Sequence, residues 1–144
     1  MTAIGPPTDD EAASAADAEA IGQGIRDHAL EHGVDLRARH LLLAARDDAG
    51  ALVGGVVGNT LLRWLYVGRL WVAANERGTG LGRRLMEAAE TEARRRGCTE
   101  SFLHTFGFQA RPFYERLGYE VYATMADPDE PLRSRSWLRK RLLG

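Results

Sequence analysis

The 144-residue sequence predicts a mixed α/β domain: a mostly antiparallel central sheet flanked by helices. Three observations carry that prediction. Short apolar runs of strand length alternate with stretches of helical period. A glycine-rich turn joins one of those runs directly to the most amphipathic helix. The composition, 44% hydrophobic and 27% charged, suits a chain that folds around its own core rather than a disordered one. The length suits a single domain over residues 1–144, with 1–7 a loose N-terminus punctuated by Pro6 and Pro7.

Taken in order, Thr8 is a candidate helix cap, with Glu11 three residues on completing a capping box. The helix it opens runs to about Glu31 and stops at Gly33, and Gly22 and Gly24 allow it to divide in two. Arg39–Arg46 and Ala51–Leu61 read as a hairpin around the turn residues Asp47-Asp48-Ala49-Gly50. Arg63–Ala73 is a third strand. In Gly80–Arg96 the residues Leu81, Leu85, Met86, Ala89 and Ala93 share one helix face, and Gly97 ends the helix. Thr99–Phe106 alternates as a strand, Arg111–Leu117 is a short helix with Pro112 in its first turn, and Tyr119–Met125 and Ser134–Leu142 close the sheet.

Bulk properties narrow the functional classes. A net charge of −1 gives no electrostatic footprint for nucleic acid or an anionic membrane. The basic tail Arg139, Lys140, Arg141 is too short to change that. No apolar run reaches the ~20 residues of a membrane helix. The acidic N-terminus lacks the order of a secretion signal, and the single cysteine, Cys98, cannot form an internal disulfide. The expectation is a cytoplasmic protein that binds neither nucleic acid nor membrane and carries no metal.

The chemistry concentrates in Arg69–Arg84, RLWVAANERGTGLGRR. Glycines let backbone N–H groups approach a ligand closely. A helix start carries unpaired donors and the positive end of the dipole, so the combination is an anion site. Arg83 and Arg84 in the first turn oppose that dipole, which makes sense if a strongly anionic group such as a diphosphate binds there. Solvated surface arginines and a plain tight turn are the alternatives. The P-loop pattern fails for want of a lysine, and the dinucleotide fingerprint fails because Arg83 stands where its last glycine belongs.

Arg77-Gly78-Thr79-Gly80-Leu81-Gly82 resembles the pyrophosphate-binding loop of the GCN5-related N-acetyltransferases (GNAT), Gln/Arg-x-x-Gly-x-Gly/Ala between a central strand and a helix. FGFQARPFYERLGYEVY (Phe106–Tyr122) is similar to that family's later segment, where a short helix carries a tyrosine and ends in Leu-Gly-Phe/Tyr. With LWVAANERGTGLG, EARRRGC and the closing LRKRL, the resemblance covers about Leu41–Leu142 and points to a small bacterial branch of unassigned acceptor.

The resemblance implies a splayed central strand pair, Arg69–Ala73 and Thr99–Phe106, with acetyl-CoA as cosubstrate in the wedge and no metal. It implies pantetheine contacts from the backbone of Trp71 and Val72. Pyrophosphate contacts would come from Arg77, Gly78, Thr79, Gly80, Leu81 and Gly82, with help from the Arg83 side chain. An amine, on a small molecule or peptide, would attack the thioester directly, with strand N–H groups near Val72 holding the oxyanion. Tyr114 is the implied acid toward the leaving thiolate; its other reading is an interior aromatic. His104 shares a strand face with Phe102 and Phe106 and titrates in the right range for a base. Relatives carry Asp there, and a structural histidine is the other reading. Glu76 is the alternate base. Gly107 replaces a common Asn, so one CoA hydrogen bond is expected to be missing. The acceptor pocket is expected beside the N-terminal helices and the loop Asp127–Arg133, whose Asp127, Asp129 and Glu130 could attract an amine; a plain solvated acidic loop is the other reading. Dimers are common in the family, so a homodimer is a further expectation. A non-catalytic acyl-CoA sensor or partner-binding module on the same fold is the competing class.

Overall fold

The computed structural model describes residues 1–109 and 111–143. The chain divides into two compact units, Met1–Arg37 and Ala38–Gly144.

In the first unit, α1 (Glu11–Glu31) is one continuous helix despite Gly22 and Gly24. Asp10, not Thr8, is its cap: the Asp10 carboxylate accepts from Ala13 N at 2.9 Å, and Thr8 Oγ1 accepts from Asp10 N at 3.1 Å. A carboxylate two residues nearer the helix satisfies an orphan amide and also faces the positive dipole end, so it displaces the hydroxyl in that role. The Glu19–Arg26 pair and the Gln23–Asp27 hydrogen bond brace the stretch that holds the two glycines. At the far end, Gly33 has φ +74 and Val34 N donates to Ala29 O, closing the helix with a left-handed residue.

The second unit is a six-stranded sheet in the order β1-β2-β3-β4-β6-β5, with β1 (Arg39–Arg46), β2 (Leu52–Leu61), β3 (Trp64–Val72), β4 (Glu100–Phe106), β5 (Glu120–Met125) and β6 (Arg135–Arg141). All neighbours are antiparallel except β3 and β4, so the sheet is mostly antiparallel. The single parallel pair follows from the connection. The helix α2 (Leu81–Arg95) crosses back over one face between the two strands. Its predicted apolar stripe, Leu81, Leu85, Met86, Ala89 and Ala93, is buried against Leu41, Val56, Leu65, Val67, Leu103 and Leu138. Each fully buried Leu or Met in that layer contributes roughly 1.5–3 kcal/mol.

One polar residue shares the stripe. Glu90 is 2% exposed. Its carboxylate accepts from Lys140 Nζ at 2.7 Å and from the Tyr119 hydroxyl at 3.0 Å, and Tyr119 also pairs with Ser101 Oγ at 2.8 Å. A buried charge survives only with such partners. The network ties α2, β4 and β6 to Tyr119, three residues after the end of α3 (Arg111–Arg116). Lys140, read from sequence as part of a short basic tail, is therefore a structural counter-ion.

Where β2 meets β3, the register shifts between Val57 and Gly58, leaving Gly68 as the extra residue. Gly58 has to be glycine here: a Cβ would lie 2.0 Å from the Tyr66 carbonyl oxygen. The bulge fixes how β3 bends, and that bend sets up the site.

Candidate functional site

The β3–β4 ladder runs from Trp64–Glu100 to Val67–Leu103 and ends there. The bulge at Gly68 begins at the next residue. Beyond it β3 continues to Val72 beside β2, and β4 continues to Phe106 beside β6. Two adjacent strands thus part in the middle of a sheet. The gap is a cleft of about 120 Å³ lined by Val67, Gly68, Arg69, Leu70, Leu103, His104, Gln109 and Tyr114.

Backbone groups edge the gap. Ala73 N donates to Val53 O on β2 at 2.8 Å. Alternation then turns the N–H and C=O of Val72 and Leu70 away from β2, toward the gap, and those of Trp71 into the β2 ladder opposite Gly55. The expectation for Trp71 needs correction here: its backbone is committed to β2, and Leu70 takes the place beside Val72. The register of the bulge decides this, and a local pattern of residues does not reveal it.

After β3, a 3-10 turn (Ala74–Glu76) leads into the glycine loop. Gly78 and Gly80 have φ of +80 and +85, a left-handed backbone that other residues rarely adopt. Thr79 folds back, with its N–H and hydroxyl both donating to Glu76 O, the latter at 2.6 Å. Glu76 thus shapes the loop through its carbonyl. Gly80 caps α2 without any side-chain bond. Among the described residues no hydrogen bond takes up the backbone N–H of Gly78, Gly80, Leu81, Gly82 or Arg83. Five donors therefore cluster at the positive end of a 15-residue helix. The Arg77 amide is spent on Ala74 O at a long 3.4 Å, which leaves its guanidinium as its contribution. Arg83 Nε is paired with Glu87 at 2.8 Å along α2, while Arg84 makes no ion pair among the described residues.

Gly82 joins the loop to the far side of the gap. A Cβ there would lie 3.3 Å from the Phe113 ring and 3.5 Å from Val72 Cγ2. Phe113 leads to Tyr114, whose ring meets Phe113 and Tyr119 edge-on at 5.1 and 6.1 Å. The Tyr114 carbonyl accepts from both Leu117 N and Tyr119 N. Tyr119 is in turn pinned by Glu90 and Ser101, so the buried network fixes the helix that presents Tyr114. Burial raises the Tyr114 hydroxyl above the ordinary phenol range, keeping it protonated.

His104 is the first residue of β4 past the last β3–β4 pair. It faces away from α2 with Phe102 and Phe106, as alternation predicts, while Leu103 and Thr105 are buried on the α2 side. Its Nε2 lies 3.1 Å from the Tyr66 hydroxyl, and its Nδ1 is buried with no partner among the described residues. Burial, seconded by the charge of Arg135, lowers its pKa from the usual value of 6.5. At neutral pH the ring is therefore a neutral base with one nitrogen unspent. Tyr66 was not singled out from the sequence. The tyrosine in the β3 alternation was visible, but its reach to His104 depends on the parallel register.

The two remaining sequence expectations have structural explanations. Gly107 is required by crowding: a Cβ would lie 2.4 Å from Pro131 O, and Gly107 N donates to Ser134 O at 2.8 Å. The loop before β6 is thus strapped over the end of β4. Asp127 in that loop accepts from Asp129 N and Glu130 N and lies 3.5 Å from Arg133, while Glu130 lies 3.7 Å from the same arginine. Those carboxylates hold their own loop. Cys98 is buried, and burial raises its thiol pKa, as suits a small apolar residue of the core. No group of three or more His, Cys, Asp or Glu side chains converges as metal ligands among the described residues, and no described helix is long and apolar enough to cross a membrane.

The sequence and the fold have relatives among known proteins. The sequence model described as "Acetyltransferase (GNAT) family" matches residues 11–119. An acetyltransferase of Agrobacterium fabrum is 36% identical over 130 residues, covering 88% of this chain and 93% of that protein. A blasticidin-S acetyltransferase of Streptomyces morookaense is 47% identical over 81 residues, which is 56% of this chain and 60% of that protein's length. The crystal structure of an acetyltransferase from Bacillus cereus superposes with a TM-score of 0.80, 26% identity and 98% coverage of each chain. An aminoglycoside 6'-N-acetyltransferase complexed with coenzyme A shares the fold at a TM-score of 0.63 and 19% identity over 74% of each chain.

Proposed function

We propose, from the premise that this chain belongs to the acetyltransferase (GNAT) family, that it transfers an acetyl group from acetyl-CoA to the amine of a small molecule or peptide. The observation that carries this reading is the cluster of five unpaired amides, Gly78, Gly80, Leu81, Gly82 and Arg83, at the start of α2 beside the open gap. The residues present fit coenzyme A. The amides and the Arg77 and Arg84 guanidinium groups suit its pyrophosphate. The gap-facing backbone of Leu70 and Val72 suits the amides of its pantetheine arm, which would join the sheet as an added strand. When bound, acetyl-CoA supplies the activated acyl group.

The chain's own residues then act on protons and charge. His104, which lines the gap, takes a proton from the acceptor's ammonium group so that the free amine can attack, with Tyr66 holding the ring through Nε2 and Nδ1 left without a partner among the described residues. The N–H of Val72 stabilises negative charge on the acyl oxygen. Tyr114 donates its proton toward the leaving sulfur and recovers one from solvent. In balance, one C–N bond forms, one C–S bond breaks, and the products are an amide, free CoA thiol and one released proton. The partial burial of Tyr114 keeps the donated proton on the phenol until sulfur needs it.

The relative named for blasticidin S makes small-molecule amines the first acceptors to test. The test is thiol release from acetyl-CoA against a panel of amines, with Tyr114→Phe beside the native protein. Tyr114→Phe is expected to lower kcat by about 100-fold or more, the low end of the usual range for a lost acid, with CoA affinity changed less than twofold. Unaltered turnover would remove Tyr114 from the chemistry. Tight CoA binding without turnover on any amine would favour the acyl-CoA sensor.

A further inference from the structure

Outside the gap, the sheet face that carries His104 holds one more group the mechanism leaves unused. Arg135 is the β6 partner of Phe106 and is only partly exposed. Its guanidinium lies 4.6 Å from the centre of the Phe106 ring and 5.6 Å from that of Trp137. No carboxylate comes within 4.0 Å of it, and it donates no side-chain hydrogen bond, among the described residues. Its charge is felt at His104. Next to it Phe106 and Phe108 stack with their centres 5.7 Å apart and planes 11° from parallel. A guanidinium lying over aromatic rings keeps its in-plane N–H donors free, a geometry suited to a carboxylate.

We propose that Arg135 anchors the acceptor, and that the acceptor is zwitterionic: a carboxylate on Arg135, a flat unsaturated body against Phe106 and Phe108, and its amine at His104. This rests on the acetyl-transfer reading. Two features argue for it over a simple polyamine. Among the described residues, those lining the gap include Arg69 and no carboxylate, so a bare cation finds no counter-charge there. A partly desolvated cation without a counter-ion is also costly unless a ligand supplies one. The spacing sets a length. Phe106, the register partner of Arg135, lies two residues beyond His104, about 6.6 Å along β4 at the usual rise of a strand. The His104 and Phe106 ring centres are 6.4 Å apart and the Arg135 guanidinium carbon is 4.6 Å from the Phe106 ring, so an acceptor with one ring between amine and carboxylate, hydrogen-bonded at each end, is long enough to reach from one to the other.

The experiment compares 4-(aminomethyl)benzoate with 4-methylbenzylamine, which are alike except for the carboxylate, binding to the full chain saturated with CoA. Calorimetry is expected to show the carboxylate-bearing amine bound at least about tenfold more tightly. In Arg135→Gln the two amines converge, and in Arg135→Lys part of the preference remains, because charge is kept without the planar fork. Equal affinities in the native protein, no binding of either amine, or a preference that survives Arg135→Gln would each overturn the proposal. CoA titration without either amine is the separate check: its failure would strike the acetyl-transfer reading instead.

Discussion

The ladders on the two sides of β3 behave differently. Toward β2 the strand is paired from Trp64 to Val72, with a single bulge. Toward β4 it is paired over only Trp64–Val67. The same residues serve both sides, so strand propensity cannot explain the contrast. The bulge can: one extra residue, Gly68, lets β3 stay with β2 while turning away from β4. The lesson is that the site is a gap in the sheet stabilised by a perfect fit elsewhere. The β2 side accommodates the bulge, and the β4 side is left with backbone groups to offer a ligand.

The comparison can be broken most severely from the β2 side. Gly58→Val places a Cβ inside the Tyr66 carbonyl contact, and no side-chain motion relieves a clash with backbone. The expected cost is about 3 kcal/mol, or a melting temperature roughly 10 °C lower for a chain of this size. A variant melting within two degrees of the native protein would show that the bulge is not rigid. Gly80→Asp attacks the open side instead. It imposes a side chain at φ +85 and puts a carboxylate among the amides. CoA affinity is expected to fall by about 100-fold with a smaller loss of stability, on the order of 1 kcal/mol. Unchanged affinity in a titration would dissociate the loop from phosphate binding.

The smallest effect is a shift in pH dependence. Because burial lowers the His104 pKa, the folded chain binds fewer protons than the unfolded one between that lowered value and the usual 6.5. Stability contributed by the neutral ring is complete above this window and is lost as pH falls through it. The acid limb of kcat/KM for amine acetylation is expected below the ordinary histidine range, and His104→Gln should abolish that limb along with much of the rate. A limb that persists in His104→Gln would assign the base to another group.

What the sequence made legible and what it hid follow the same division. The glycine loop, the apolar stripe of α2 and the strand alternation around His104 were readable because each depends on neighbours within a turn or two. Glu90 was hidden inside the stripe because its partners, Lys140 and Tyr119, are distant in sequence. Gly107 read as a lost hydrogen bond, and the structure shows a crowded crossing with Pro131. Trp71 was misplaced, and Tyr66 and Arg135 passed over, because strand register, not residue type, decides which groups face the gap. Local pattern reveals helices, turns and donors; pairing across the sheet decides which of them meet.

The central claim is that free amides at the start of α2 and the gap-facing edge of β3 receive coenzyme A. Amide chemical shifts followed during a CoA titration test it residue by residue. The account predicts large changes at Gly78, Gly80, Leu81, Gly82 and Arg83, accompanied by Leu70 and Val72, with the β1–β2 amides still. Saturating CoA that leaves those seven amides unmoved would contradict it.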